Sequence, residues 1–358
     1  MKWKNKMHVG WTMVGVCVLI GVLLGNKDWQ SRRYLPLEKV KAVSEPYLTS
    51  KVVTRAKPLG MVMGIYVKTQ GIVVLEVTDV YGGKKVKSPA KGLLKKGDYL
   101  IRCQGKKVSS KECLMKLVDE SCGKPVSLVI WRDGKRRSVS VKPIKQGEHY
   151  RLGVWVRDDM AGLGTMTLCT QNNEYVALGH AISDMDLNTR IRIRQGSIHP
   201  CRITDIRKGK PELPGALIGY IDYCPEKPVG TIKKNTERGI GGHLLRLPRF
   251  MQEEPYLPIA SRKEVHTGDA EFISDFSGKR KHYALKITHI NHFTKRASKG
   301  FVIEITDKNL KQKIGGIVQG LSGSPIVQEG KIVGAITHVF VHSPHKGYGI
   351  FVEDMLKQ

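Results

Sequence analysis

Short apolar runs and strict alternation, rather than helical periodicity, dominate this chain. The exception is its beginning, where VGWTMVGVCVLIGVLLG, residues 9–25, holds no charge over seventeen positions. At about 1.5 Å per residue such a stretch just spans the hydrocarbon of a bilayer, so a transmembrane helix is expected. The lysines of residues 1–8 (MKWKNKMH) place that end in the cytoplasm and everything from Asn26 onward outside. A cleaved signal peptide competes, but Gly25-Asn26-Lys27 is a poor small-x-small cleavage site, and an uncleaved anchor is preferred. Residues 26–58 are polar and mixed, without a sustained period, and read as a linker.

From Leu59 the pattern becomes strand-like. MGIYV (63–67), GIVVLEV (71–77), YLIRC (99–103), VSLVIW (126–131) and RSVSV (137–141) are separated by Gly and Lys turns, with one helical stretch near Lys111–Val118. After Pro143 come YRLGVWV (150–156), GTMTLCT (164–170), YVALGHAI (175–182), ALIGYI (216–221), HYALKITHI (282–290), GFVIEIT (300–306), SPIVQ (324–328) and KIVGAITHVFV (331–341). Many short strands with Gly-rich turns predict a barrel or double barrel. The expected division is a tail (1–8), an anchor or signal (9–25), a linker (26–58), a small β domain (59–145) and a second β domain (146–358), mainly β throughout.

Composition supports that reading, with 38 glycines and 7% aromatic residues over 358 positions. A net charge of +28 raises the question of nucleic acid. The basic residues are scattered, however, and no recognition helix, zinc finger or aromatic RNA-binding motif accompanies them. A basic surface near anionic lipid fits at least as well, and no nucleic-acid partner is expected. The seven cysteines form no CxxC pair, so neither zinc nor a disulfide is expected.

Chemistry enters with Gly315–Pro325, GGIVQGLSGSP. A serine among small residues can project its Oγ while neighbouring N–H groups turn toward one point, which makes Ser322 a candidate nucleophile; a plain Gly-rich turn is the alternative. Acyl transfer by serine needs a base. His180 lies at the end of the apolar strand Tyr175–Ile182, between small Gly179 and Ala181, and is the candidate, against a structural histidine. Asp307 follows GFVIEIT and could fix the His180 tautomer, although a helix N-cap is the ordinary role of such a Thr-Asp pair. Asp184 and Asp186 are rivals for the orienting acid but fit a turn better. His289-x-x-His292 and His338-x-x-x-His342 lack the helical context of a zinc motif, and no metal or cofactor is expected.

Two resemblances add to this. Ser88–Ile101 followed by Gly105-Lys-Lys-Val is similar to the Gly-Asp-containing run of PDZ domains, which implies a groove that captures an extended peptide by β-addition. Leu59-Gly60-Met61-Val62 is then the expected carboxylate-binding loop. LGVWVRD (152–158), AGLGTMT (161–167), ALGHAISD (177–184), ITDKNL (305–310), GGIVQGLSGSP and GAITHVFV (334–341) closely resemble the stage IV sporulation protein B peptidases. That resemblance implies a chymotrypsin-like double β-barrel serine endopeptidase with a PDZ-like domain, and His180, Asp307 and Ser322 fall on the family's triad positions. It further implies location in the forespore intermembrane space, self-processing, and cleavage of a regulatory subunit of a membrane-embedded sigma-factor-processing protease. By comparison with the chymotrypsin nucleophile motif, Ser322 rather than Ser324 is the nucleophile, and the N–H groups of Gly320 and Ser322 form the oxyanion hole. Leu321 stands where digestive enzymes keep an activating Asp, so the loop is expected to be ordered by docking of the PDZ-like domain or by peptide. The alternative function is a catalytically inactive envelope scaffold.

Overall fold

A computed structural model describes residues 34–37, 53–82 and 85–358. The expected tail, the anchor 9–25 and most of the linker lie outside these. Among the described residues no helix is long and apolar enough to cross a membrane.

The chain's longest strand, β1 (Arg55–Val77), is apolar over most of its length and serves two units. Its first part, to Thr69, lines a barrel. From Ile72 it pairs with β2 (Tyr99–Cys103) in a small sheet completed by β3 (Val126–Arg132) and β4 (Lys135–Val141). Helix α1 (Lys111–Asp119) is started by Ser110, whose side chain accepts the Cys113 N–H, and lays Leu114, Leu117 and Val118 on that sheet. β5 (Val154–Cys169) then returns antiparallel along β1, with Val154 opposite Val77, Asp159 opposite Lys68 and Cys169 opposite Lys57. At the crossing from one unit to the other β1 bulges, and Thr69 Oγ1 donates to the Gly71 and Asp158 carbonyls at 2.5 and 3.1 Å.

β6 (Glu174–Ala177), β7 (Ile193–His199), β8 (Gly230–Thr236) and β9 (Gly239–Leu244) complete the first barrel in the order β1-β5-β6-β9-β8-β7, with β7 pairing back onto β1. Met61, Met63, Val67, Met166, Tyr175 and Ile240 fill it. The second barrel comprises β10 (Gly268–Ser274), β11 (Lys281–Ile290), β12 (Phe301–Ile305), β13 (Pro325–Gln328), β14 (Lys331–Phe340) and β15 (Ser343–Phe351), closed in the order β10-β11-β12-β15-β14-β13. Alternation is clear in β11, where Tyr283, Leu285 and Ile287 point inward and the residues between them are exposed. A short helix, α2 (Lys308–Ile314), links β12 to the Gly-rich turn. The chain is thus mainly β, built on two six-stranded barrels.

Two expectations are corrected. Leu59–Val62 is no peptide-binding loop: Leu59, Met61 and Val62 are buried, and the Val62 N–H donates to Asp275 Oδ1 at 2.7 Å while the Asp275 N–H donates to the Gly60 carbonyl at 3.0 Å. Gly60 has φ +62°, and a Cβ there would lie 2.4 Å from the Ile273 oxygen, so this segment seals one barrel against the other. The boundary at residue 59 falls inside a barrel strand for the same reason. The small unit is an insertion between two paired barrel strands, and hydrophobic alternation cannot show which sheet a run joins. All six described cysteines are free thiols.

Candidate active site

The site lies where the two barrels meet. α2 ends at Gly315 with φ +75°, and the turn that follows needs positive φ again at Gly320 (+103°) and Gly323 (+96°). A Cβ on Gly323 would lie 2.0 Å from the Thr165 oxygen and 2.5 Å from the Leu178 nitrogen, so only glycine lets the turn reach the first barrel. β5 holds the turn there. The Thr165 N–H donates to the Ser322 carbonyl (3.0 Å), Thr165 Oγ1 to the Gly320 carbonyl (2.7 Å) and Thr167 Oγ1 to the Gly323 carbonyl (2.7 Å).

A hairpin of Cys201–Arg207 and Ala216–Ile221 reaches across from the first barrel. Its Leu217 N–H donates to the Gln319 carbonyl and the Gln319 N–H to the Gly215 carbonyl, both at 2.8 Å, and the Leu217 side chain packs on Gly320. Leu321 is fully buried in the core of the second barrel. The turn is therefore ordered by the first barrel and an apolar anchor, where the sequence suggested docking of the small unit.

Ser322 is partly accessible and its Oγ donates to the Thr337 carbonyl at 2.7 Å. Ser324 is fully buried and its hydroxyl has no partner, which removes it as the nucleophile. Among the described residues, neither the Gly320 nor the Ser322 amide donates to a backbone carbonyl. His180 follows β6 through Leu178 and Gly179, both at positive φ (69° and 71°), and Gly179 packs on Thr337 and Ile350. Asn235 clamps the segment after it, accepting the Ile182 N–H at 2.8 Å and donating to the Ile182 carbonyl at 3.0 Å. His180 Nδ1 lies 2.9 Å from the Ala181 carbonyl, which can only accept. Nδ1 therefore carries the hydrogen and Nε2 is left bare, the tautomer a general base requires.

Burial lowers the His180 pKa, against the opposing effect of the Ala181 carbonyl. His338, the residue after Thr337, stands with its ring centre 5.2 Å from that of His180, tilted by 44°. Its pKa is pushed down to about 4 by desolvation first and by the charges of His180 and Lys299 next, against the opposing effect of the Ser298 backbone. His338 itself is exposed to solvent.

Asp307 is not brought to this cluster. Its Oδ1 accepts the Leu310 N–H at 2.8 Å and caps α2, while its own N–H donates to the Ala284 carbonyl at 3.1 Å. In the ladder His338 lies opposite Tyr348 and Tyr348 opposite Val302. Asp307 is five residues further on, about 16 Å along an extended chain at ~3.3 Å per residue. It sits instead in a shallow pocket with Asp269, Glu271, His282 and Glu329. The helix-cap role that competed with the triad role in the sequence is the one the fold uses. Asp184 is buried and ion-paired with Arg157, and its Oδ1 accepts the Asp186 and Leu187 N–H groups at 2.8 and 3.0 Å, so it shapes a turn as expected. The two His pairs are split: His342 faces Glu212 at 3.8 Å while His338 faces His180, and His292 stacks on Phe351.

Sequence reasoning missed Thr165, Thr167, Asn235 and His338. The two threonines carry the one available signal, alternate polar positions on an apolar strand.

Residues 148–356 match the family model described as SpoIVB peptidase S55. No curated protein matches. Among solved structures, the active form of the Rv3671c protease from M. tuberculosis is 13% identical over 56% of this chain and 73% of that one, with a TM-score of 0.33. The HtrA-type protease AlgW with decapeptide is 11% identical over 60% of this chain and 53% of that one, with a TM-score of 0.32. Likeness at that level carries no weight for fold or mechanism. The family match, in contrast, covers more than half of the chain, which belongs to the SpoIVB peptidase S55 family and is a serine peptidase.

Proposed function

We propose that Ser322 is the nucleophile and His180 the general base of a serine endopeptidase. The observation that carries this reading is the convergence at Thr337: its carbonyl receives the Ser322 hydroxyl, and its side chain packs on the glycine that delivers His180. On substrate binding the hydroxyl rotates from that carbonyl to His180 Nε2. As Oγ attacks the peptide carbonyl its proton passes to Nε2, and the Gly320 and Ser322 N–H groups stabilise the oxyanion. The protonated His180 then gives its proton to the leaving amine, and water repeats the sequence on the acyl-enzyme. A fluorophosphonate probe tests this on the full chain. Ser322 of the wild type should be labelled, and Ser322→Ala should lose labelling and self-cleavage by orders of magnitude while staying folded; labelling elsewhere, or undiminished self-cleavage of the variant alone, would refute it.

The chain is further proposed to be tethered by residues 9–25 with the barrels outside the cytoplasm, in the forespore intermembrane space. There it would process itself and cleave a membrane-bound regulatory protein during endospore formation, as the family resemblance implies. The small unit is proposed as a PDZ-like peptide receptor. Its candidate edge is Val154–Arg157, which pairs with β1 on one side only among the described residues. α1 is tied at both ends to residues that flank this segment, by Lys111 N–H to Asp158 Oδ2 (2.8 Å) and Tyr150 N–H to Asp119 Oδ1 (2.6 Å). An extended peptide added beside the exposed Trp155 would complete the sheet. A photo-cross-linking residue at position 155 should capture peptide, whereas one at position 61 should capture none.

A further inference from the structure

We infer that residues 291–300, the loop between β11 and β12, dock on the surface of an anionic bilayer and hold the cleft against it. The inference rests on the tethering by residues 9–25 proposed above. Its first support is Phe293, which is 95% exposed, more than any other large apolar residue among the described ones. A single exposed apolar side chain is ordinary on a protein surface. This one is displayed by a built loop. The Asn291 N–H donates to the Gly300 carbonyl (2.8 Å) and closes the loop, the Phe293 N–H donates to Asn291 Oδ1 (3.2 Å), and the Arg296 N–H donates to Thr294 Oγ1 (3.1 Å). Arg262 holds the tip from the barrel side. Its Nη1 donates to the His292 carbonyl at 2.6 Å, while the guanidinium lies over Phe351 and pairs with Asp354. The ring of His292 stacks on buried Phe351, with 6.1 Å between centres. The loop thus turns its polar ring toward the barrel and its apolar ring into solvent, the reverse of what water favours.

The second support is charge. Residues 276–303 contain seven Lys or Arg and no Asp or Glu. Three of the seven, Lys295, Arg296 and Lys299, follow Phe293 on the loop itself, and Lys295 and Arg296 are exposed. Asp354, which reaches the loop through Arg262, is ion-paired with that residue and with Lys357. An aromatic ring among cations suits the bilayer interface, where rings settle at the level of the headgroups and each cation adds attraction to anionic lipid. One ring is too small an apolar area for a stable protein interface. It suffices as the second of the two signals that firm membrane attachment takes. The third support is reach. Residues 26–33, between the apolar stretch and Tyr34, span at most about 30 Å at ~3.6 Å per residue, so a chain tethered by residues 9–25 keeps its barrels beside the bilayer. The loop is also joined to the cleft. The Ser298 carbonyl accepts Thr337 Oγ1 at 2.6 Å, and the Thr337 carbonyl receives the Ser322 hydroxyl. Docking the loop therefore holds the cleft near the headgroups, and the substrate class it selects is extended segments of membrane-bound proteins close to the bilayer.

The test is a photo-cross-linking residue at position 293 of the full chain, reconstituted in vesicles of mixed phosphatidylcholine and phosphatidylglycerol. The same residue at position 279, an exposed site in the turn before β11 and at the far end of that strand from the loop, is the control. Mass spectrometry should find lipid adducts at position 293 and few at position 279, although both lie in the cationic run. Adducts at 293 should fall in vesicles of phosphatidylcholine alone. They should also fall on the order of 10-fold or more with Lys295→Glu and Arg296→Glu together, since each cation near an anionic surface is worth roughly fivefold. That double variant should still be labelled at Ser322 by a fluorophosphonate, which separates lost docking from lost folding, and the comparison of the two lipid mixtures needs no charge variant at all. Vesicle-bound chain with no lipid adduct at 293, with equal adducts at 279, or with undiminished adducts in phosphatidylcholine alone would overturn the inference. So would capture of a second protein at 293 in place of lipid. A chain that does not float with the vesicles in a density gradient would overturn the tethering instead.

Discussion

Two histidines whose rings meet give the molecule a specific response to acid. Both His180 and His338 have folded-state pKa values below the ordinary imidazole value of 6.5, so between those values the unfolded chain binds more protons than the folded one. Stability from these groups is fully present above pH 6.5 and is lost as pH falls below it. Thermal unfolding at pH 7.5 and 5.0 should show a lower midpoint at the lower pH, and His338→Gln should make that difference smaller. Asp307 caps α2 through its Oδ1. Removing that cap with Asp307→Ala should cost about 1 kcal/mol in denaturant unfolding. Ser322 and its glycines were legible from sequence because their backbone demands are local. The Asn235 clamp behind His180 was not, because its contact with Ile182 joins residues 53 positions apart.

Among the elements, β1 and β5 decide how the units relate. A sequence reading sees apolar runs at 63–67 and 71–77 and assigns both to one small domain, since alternation marks a strand and not its partners. In the fold the first run lines a barrel and the second a separate sheet, with a bulge between them. The helix, the individual strands and their faces were readable, whereas the insertion required long-range pairing that no local pattern encodes. This carries an engineering consequence. Replacing residues 70–157 by an Asn-Gly turn joins Thr69 to Asp158 where the two barrel strands already run side by side, and the product should unfold cooperatively when followed by circular dichroism. Deleting 59–145 removes half a barrel strand together with the Gly60–Asp275 contact, and that product should show no such transition.

At the scale of the molecule, the cleft is assembled by reciprocal intrusion of the barrels. The first sends Thr165, Thr167 and Leu217 into the nucleophile turn, and the second offers Thr337, His338 and Ile350 to the loop that carries His180. Close approach is permitted by Gly179 and Gly323, where a Cβ would collide with the opposite barrel. Double-barrel architecture was foreseeable from many short strands with glycine turns. The mutual dependence of the barrels was not, because alternate threonines on an apolar strand do not say which barrel their hydroxyls reach, and a leucine in a hairpin carries no sequence signature.

The position of β14 and β15 in the chain also sets a timetable. A ribosome delivers the protein from its N-terminus, so the first barrel, the hairpin that braces Gly320 and Ser322 itself all emerge before the strand that receives the serine hydroxyl. Until residues 331–351 have been made and have closed the second barrel, His180 lacks the ring contact with His338 and Gly179 its contacts with Thr337 and Ile350. A chain that stops before residue 331 is therefore expected to show no probe labelling at Ser322, and labelling of such a truncated chain would contradict the arrangement.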